Sequence, residues 1–314
     1  MRIGIVVDSA CDLPKSFFDA NQVEILPISV LIDGQETSDT RDPQQTLAFY
    51  QQHQGDKAHS AQTAPYSVEQ IKRVFLQRLV LDYDYVFCLT LMRSRSPIFE
   101  HATRASFGIL AEYKAVRQKA GVTGPFALRV IDTQNLFAAQ GVTAVEANRL
   151  IRAGAGVNEI RERLESLANN TYGYMLPRDL YHLRARAKTK GDKSVGWLQY
   201  TLGSALDIKP LVRGFRGETG PVAKLRHFED GAERLFAYAG ERIKRGLLTP
   251  TLCLSYGGEL SKLEALPGYA ELERTAQTNG VEIYTSLMSM TGVVNVGEGA
   301  LAMGFAAPEH ELKL

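Results

Sequence analysis

Ile3-Gly4-Ile5-Val6-Val7-Asp8-Ser9-Ala10-Cys11-Asp12-Leu13-Pro14 is the stretch on which the fold turns. Residues 3–7 are an unbroken apolar run that stops at Asp8-Ser9, as suits a strand covered on both faces of a parallel sheet. Pro14 then falls near the first turn of a helix, where its missing N–H costs nothing. The same grammar recurs downstream. Val86–Leu91 is a second buried run, residues 97–118 read as a helix, and Leu128–Ile131 is a third run ending at Asp132-Thr133. A helix over Thr143–Ala153 follows, closed by Gly154. Strands alternating with helices predict a parallel or mostly parallel sheet flanked by helices.

Between the first two runs lie a strand around Val23–Ile32 and the hairpin signal Asp33-Gly34. Asp42-Pro43 opens a helix that runs through Leu47 and Tyr50. Ser67 and Gln70 have capping-box spacing, ahead of a helix that carries Ile71, Val74, Phe75 and Leu79 on one face.

Past Gly156 the order changes. A helix over Asn158–Asn169 leads to an apolar strand at Tyr172–Leu176, and Gly214–Gly220 has turn chemistry. Extended stretches at Val222–Arg226, Thr251–Ser255 and Val281–Ser286 are interleaved with long helices. The expectation is an α/β unit over 1–155 and an α+β unit over 156–314, as 314 residues suggest two domains of about 150.

Bulk properties narrow the function. A net charge of +1, from 36 basic and 35 acidic side chains, lacks the basic excess that phosphate backbones require, so nucleic acid is not expected. Three scattered cysteines, Cys11, Cys88 and Cys253, have neither disulfide nor zinc spacing and read as a reduced compartment. The opening residues are too short and too charged for a signal peptide, and no apolar run approaches the roughly 18 residues of a membrane helix. The chain therefore reads as cytoplasmic, without stable membrane insertion.

Two motifs fail their structural tests. Gly297-Glu298-Gly299-Ala300-Leu301-Ala302 fits G-x-G-x-x-A, but the residues up to Leu314 are too few for the βαβ unit that fingerprint needs. Lys190-Gly191-Asp192-Lys193-Ser194 has an Asp before the lysine of a would-be phosphate loop and lacks the upstream glycine. No nucleophile elbow, nucleophile–base pair or H-E-x-x-H spacing occurs, so no enzyme, metal or cofactor is expected.

The opening block resembles that of the DegV family, with its strand, Asp-Ser and Cys-Asp-Leu-Pro. Thr63-Ala64-Pro65-Tyr66-Ser67 stands where the family has Thr-Ser-x-Pro-Ser. Leu89-Thr90-Leu91 with Ser96-Pro97-Ile98-Phe99-Glu100 is similar to its strand and Leu-Ser-Gly-Thr-Tyr-Gln segment. Val130-Ile131-Asp132-Thr133, Leu206-Asp207-Ile208-Lys209-Pro210-Leu211, Lys224-Leu225-Arg226 and Gly297-Glu298-Gly299-Ala300 follow in the family's order. The resemblance spans nearly the whole chain. It implies a carrier that holds one long-chain fatty acid in a tunnel between the two domains, with some members presenting the acyl carboxylate to a separate fatty acid kinase.

Carried onto this sequence, the resemblance implies that Thr63 and Ser96 donate hydroxyls to the carboxylate, an acceptor-only group. Arg226 adds a charge-assisted contact. Asn295, Gly297, Ser9 with Asp8, and Thr133 complete the expected ligand-binding set, and Phe75, Ile98 and Phe99 are candidate tunnel residues. Each buried CH₂ of the tail contributes roughly 0.8 kcal/mol.

The departures are chemical. Asn295 stands where the family has a histidine and cannot become cationic, and Glu298 replaces the central proline of Gly-Pro-Gly. Ser96-Pro97-Ile98 loses one hydroxyl of Ser-Gly-Thr, and Arg186-Ala187-Lys188 replaces Gly-Gly-Arg beside Arg184. Tail binding depends on apolar shape and survives such changes. Phosphotransfer by a partner kinase depends on the altered head-group residues, so presentation to a kinase is the alternative reading.

Overall fold

β1 (Ile3–Asp8) and β2 (Glu24–Leu26) pair in parallel, with the five residues Gly4–Asp8 buried as a strand covered on both faces must be. The structure, a computed structural model, describes residues 1–53, 61–179 and 208–314. The single strand expected over Val23–Ile32 is two. Pro27 has no N–H to offer a ladder and ends β2, and the chain turns into β3 (Ile28–Ile32) of a separate antiparallel sheet. That sheet has the order β4-β3-β5, with β4 (Gln35–Asp39) reached through Asp33-Gly34 and β5 at Ala61–Pro65. β6 (Tyr85–Thr90) and β7 (Ala127–Asp132) complete the parallel sheet, in the order β2-β1-β6-β7.

Local signals in this half hold. Asp42 caps the helix Pro43–Gln52 by accepting from the Gln45 N–H at 2.9 Å. Ser67 Oγ accepts from the Gln70 N–H at 3.2 Å while Gln70 Oε1 accepts from the Ser67 N–H at 2.8 Å. Removing that cap with Ser67→Ala is expected to cost about 1 kcal/mol, read as a shift in the urea midpoint at unchanged slope. The helix expected over 97–118 is two helices, Ile98–Gly108 and Tyr113–Lys119. The break lets the second helix aim the buried Arg117 at the carbonyls of Val80, Tyr83 and Thr123, each 2.7–2.8 Å away.

The helix Ala138–Arg152 begins before the expected Thr143, and its first ten residues are all buried. It lies between β1 and β6 on one side and the second sheet on the other, so neither face needs to be polar. The helix Val157–Ala168 packs beside it and against β7.

The second sheet is mixed and six-stranded. Its members are β8 (Thr171–Leu176), β9 (Ile208–Phe215), β10 (Glu218–Arg226), β11 (Thr251–Tyr256), β12 (Glu282–Leu287) and β13 (Leu301–Ala306), in the order β10-β9-β8-β13-β11-β12. Gly214–Gly220, read as a turn, is mostly strand: only Arg216-Gly217 separates β9 from β10. Alternation divides the sheet cleanly. Tyr172, Tyr174, Leu254, Tyr256, Met303 and Phe305 share a core with the helices Phe228–Lys244 and Tyr269–Thr278. The other face carries Gly173, Cys253, Ala302 and Gly304, small enough to receive the helix Ala138–Arg152. A Cβ at Gly304 would sit 2.2 Å from Ala139 Cα. Among the described residues no helix is long and apolar enough to cross a membrane, and the three cysteines are buried and free.

Candidate functional site

Three loops leave the carboxyl ends of β1, β6 and β7, where open α/β sheets place their ligands. Asp8 ties them together. Its fully buried carboxylate accepts from the Leu91 N–H at 2.7 Å, the Ala10 N–H at 3.1 Å and Gln140 Nε2 at 3.2 Å. Burial pushes its pKa up to about 6 against the pull of those bonds. Ser9 and Thr133 are buried and committed to the same scaffold. Ser9 Oγ accepts from the Ile28 N–H at 2.9 Å, and Thr133 Oγ1 donates to the Thr90 carbonyl at 2.9 Å.

Ser96 is half-buried in the β6 loop, its Oγ accepting from the Ile98 N–H at 3.2 Å where the helix Ile98–Gly108 starts. Thr63 is not on a loop. It lies within β5, opposite Val30, and is half-buried. The two segments are tied by His101 Nδ1, 2.8 Å from the Tyr66 carbonyl.

A short helix of the second half, Met290–Val296, which carries Asn295, packs across β3 and β5, the strand that carries Thr63. Asn295 Nδ2 donates to the Thr291 carbonyl at 2.7 Å, which leaves the amide a second N–H. Gly297 ends the helix at φ 107°, a conformation suited to glycine. The following turn is locked on Gly257, whose carbonyl accepts from the Gly299 N–H at 2.8 Å and whose N–H donates to the Ala300 carbonyl at 2.9 Å. Glu298 is half-buried in that turn; burial raises the Tyr50 and Tyr256 phenols, and the Glu298 charge adds to both.

Arg226 is exposed at the end of β10, opposite Ile208. The other end of the same hairpin docks on the Ser96 loop: Ser94 Oγ donates to the Gly217 carbonyl at 2.6 Å, and Arg95 Nη2 donates to Thr219 Oγ1. Arg226 is therefore seven residues, about 23 Å along the strand, from that docking point. It lies at the sheet end where β8 leaves and β13 enters. There the structure brings up a cation the motif reading passed over. Arg178, two residues past β8, pairs with Glu229 at 2.9 Å, lies 5.0 Å over the Phe228 ring and borders Gly299. Its only sequence signal is a Pro-Arg step directly after an apolar strand. Phe75 and Ile98 are fully buried in the main core, and Phe99, next to Ile98 in sequence, is half-buried. Arg184, Arg186, Lys188, the stretch Lys190–Ser194 and Leu206-Asp207 lie outside the described residues.

Comparison with known proteins is consistent along the whole length. A family model described as an uncharacterised protein of the DegV family matches residues 2–308. A DegV domain-containing protein of Xanthomonas campestris pv. campestris is 62% identical over 310 residues, covering 99% of each chain. A protein of Thermotoga maritima named as a fatty acid-binding protein is 24% identical over 316 residues, covering 99% of this chain and 100% of the other. Among solved structures, a DegV lipid binding protein from Thermotoga maritima superposes with a TM-score of 0.75 at 22% identity, covering 99% of this chain and 100% of that one.

Proposed function

Because the chain belongs to the DegV family, we propose that it is a carrier which holds one long-chain fatty acid non-covalently and leaves it chemically unchanged. The tail lies in a tunnel between residues 1–155 and 156–314. The carboxylate is met by Thr63 and Ser96, with the second amide N–H of Asn295 facing it from the other half and Gly297 giving the close backbone approach. Ser9 and Thr133 shape the site through the backbone they hold. Arg226 and Arg178 supply positive charge at the end of the second sheet. With its cysteines buried and free, the carrier works in the cytoplasm.

The observation that carries this reading is the packing of Met290–Val296 across β3 and β5, which sets Asn295 and Thr63 on facing elements from opposite ends of the chain. The relatives named for fatty acid or lipid binding supply the ligand class. A carboxylate needs donors, and hydroxyl and amide groups furnish them.

Mass spectrometry of an organic extract of the purified protein tests it. A fatty acid at one per chain is expected. Thr63→Ala and Ser96→Ala are each expected to weaken its binding about tenfold, the scale of one hydrogen bond to a charged group. Protein that carries no lipid and takes up no added fatty acid would overturn the carrier reading.

A further inference from the structure

The entry to the helix Met290–Val296 is held by side chains from the first fifty residues. Arg41 Nη2 donates to the Leu287 carbonyl at 2.7 Å, and the Tyr50 hydroxyl donates to the Met288 carbonyl. Asp12 Oδ1 accepts from the Ser289 N–H at 2.8 Å, and Asp12 Oδ2 accepts from Ser255 Oγ at 2.6 Å. Asp39 Oδ1 accepts from the Arg41 N–H at 3.1 Å and so holds Arg41 in place behind its contact with Leu287. Three consecutive residues, 287–289, thus have their backbone polar groups held by three side chains of the other half, with Asp39 bracing the arginine among them. Arg41 also sits 3.5 Å from Asp12, with 4% and 0% of the two side chains exposed.

Stability alone is a poor reason for such a seam, because a buried ion pair seldom outperforms apolar packing of the same volume. Its best-attested use is to fix one register among several. Arg41 is in the left-handed backbone region at φ 61°, a conformation that non-glycine residues adopt at a cost and keep where the surroundings impose it. Asn295 lies further along the same helix and Gly297 caps its end.

We propose that Asp12, Asp39, Arg41 and Tyr50 are positioning residues for the ligand head group. They set the register of 287–289, where the helix begins, and so place Asn295 and the Gly297 turn over Thr63. This rests on the carrier reading above. The seam does not touch the carboxylate; it sets the distance between donors on opposite halves of the molecule.

The test compares hexadecanoic acid with its methyl ester, which shares the tail but lacks the charged head. Binding of both is measured for the wild type, Asp12→Asn, Arg41→Met and Tyr50→Phe. Wild type is expected to prefer the acid. Asp12→Asn and Arg41→Met are expected to lose about tenfold in acid affinity and under twofold in ester affinity, so that the preference collapses. Tyr50→Phe removes one hydrogen bond and no charge; it is expected to lower the acid preference about threefold and decides the matter if the charge variants do not fold. Arg41→Lys is expected to restore part of the preference. An unchanged acid-to-ester ratio in folded Tyr50→Phe and Asp12→Asn, or equal losses for both ligands, would overturn the positioning role while leaving the carrier intact. Wild-type protein that binds neither ligand would overturn the carrier reading and the positioning role with it.

Discussion

Gly304→Val is expected to leave little natively folded protein. The Cβ of any residue there would sit 2.2 Å from Ala139 Cα and 2.6 Å from Ala139 N, both backbone atoms of a helix wedged between two sheets. A flexible side chain could move aside; this backbone cannot move without shifting the whole helix Ala138–Arg152 off β8, β11 and β13. Overpacking typically costs 1–3 kcal/mol when neighbours can yield, so a clash with fixed backbone is expected to exceed about 3 kcal/mol. The check is the soluble fraction on expression and the thermal melt by circular dichroism. Gly156→Ala is the control. It has φ −72° and nothing within 4 Å of its added methyl, and it is expected to stay within about 1 kcal/mol of wild type. A Gly304→Val protein that melts like the control would mean that the helix is not seated on the sheet as described.

Glu146→Gln is expected to be the next most damaging, and to change how stability depends on pH. Glu146 is fully buried on the helix Ala138–Arg152 and accepts from Arg149 at 2.7 and 2.8 Å, Arg163 at 2.8 Å and Thr249 Oγ1 at 2.8 Å. It therefore joins its own helix, the helix Val157–Ala168 and the segment leading to β11. Burial pushes its pKa up, but the hydrogen bonds from Arg149, Arg163 and Thr249 outweigh that and bring it down from 4.5 to about 2. A carboxylate depressed on folding contributes stability that is complete above its unfolded pKa and is lost as pH falls through the folded one. Glu146 thus stabilises fully above about pH 5 and progressively less down to about pH 2. Because both arginines reach solvent, the expected cost of Glu146→Gln at pH 7 is about 2–3 kcal/mol. The difference from wild type should shrink as pH falls below about 4. Urea titrations at pH 7 and pH 3 measure it, and an equal difference at both would remove Glu146 as the cause.

The parallel sheet was legible because its signal is local. A buried run that halts at Asp8-Ser9 or at Asp132-Thr133 needs no partner to be read, and the Ser67–Gln70 cap lies within four consecutive residues. The misreadings have local causes too. Val23–Ile32 looked continuous because both flanks of Pro27 are β-formers bound for different sheets. The first turn of Ala138–Arg152 escaped notice because it is buried all round, so it has no polar face to set the period. Of the candidate site, Thr63, Ser96 and Asn295 come from family resemblance alone; the structure packs the Asn295 helix on the Thr63 strand and ties the Ser96 segment to the residue after that strand. The seam of Asp12, Asp39, Arg41 and Tyr50 was beyond reading: its bonds join residues 246 and 277 positions apart, and nothing in the spacing of either partner announces the other.

The order β10-β9-β8-β13-β11-β12 has a consequence for synthesis on the ribosome. β13 stands between β8 and β11 and is antiparallel to both, yet it is made after either of them. Until residues 301–306 emerge, the nascent chain presents two bare edges, 171–176 and 251–256, each wholly apolar on one side. The parallel sheet, complete by Asp132, can form earlier, and the helix Ala138–Arg152 seats it on the opposite, small-residue face. The larger sheet must wait, and between the emergence of Tyr256 and Ala306 the two edges stay open to the pairing errors that a half-built sheet invites.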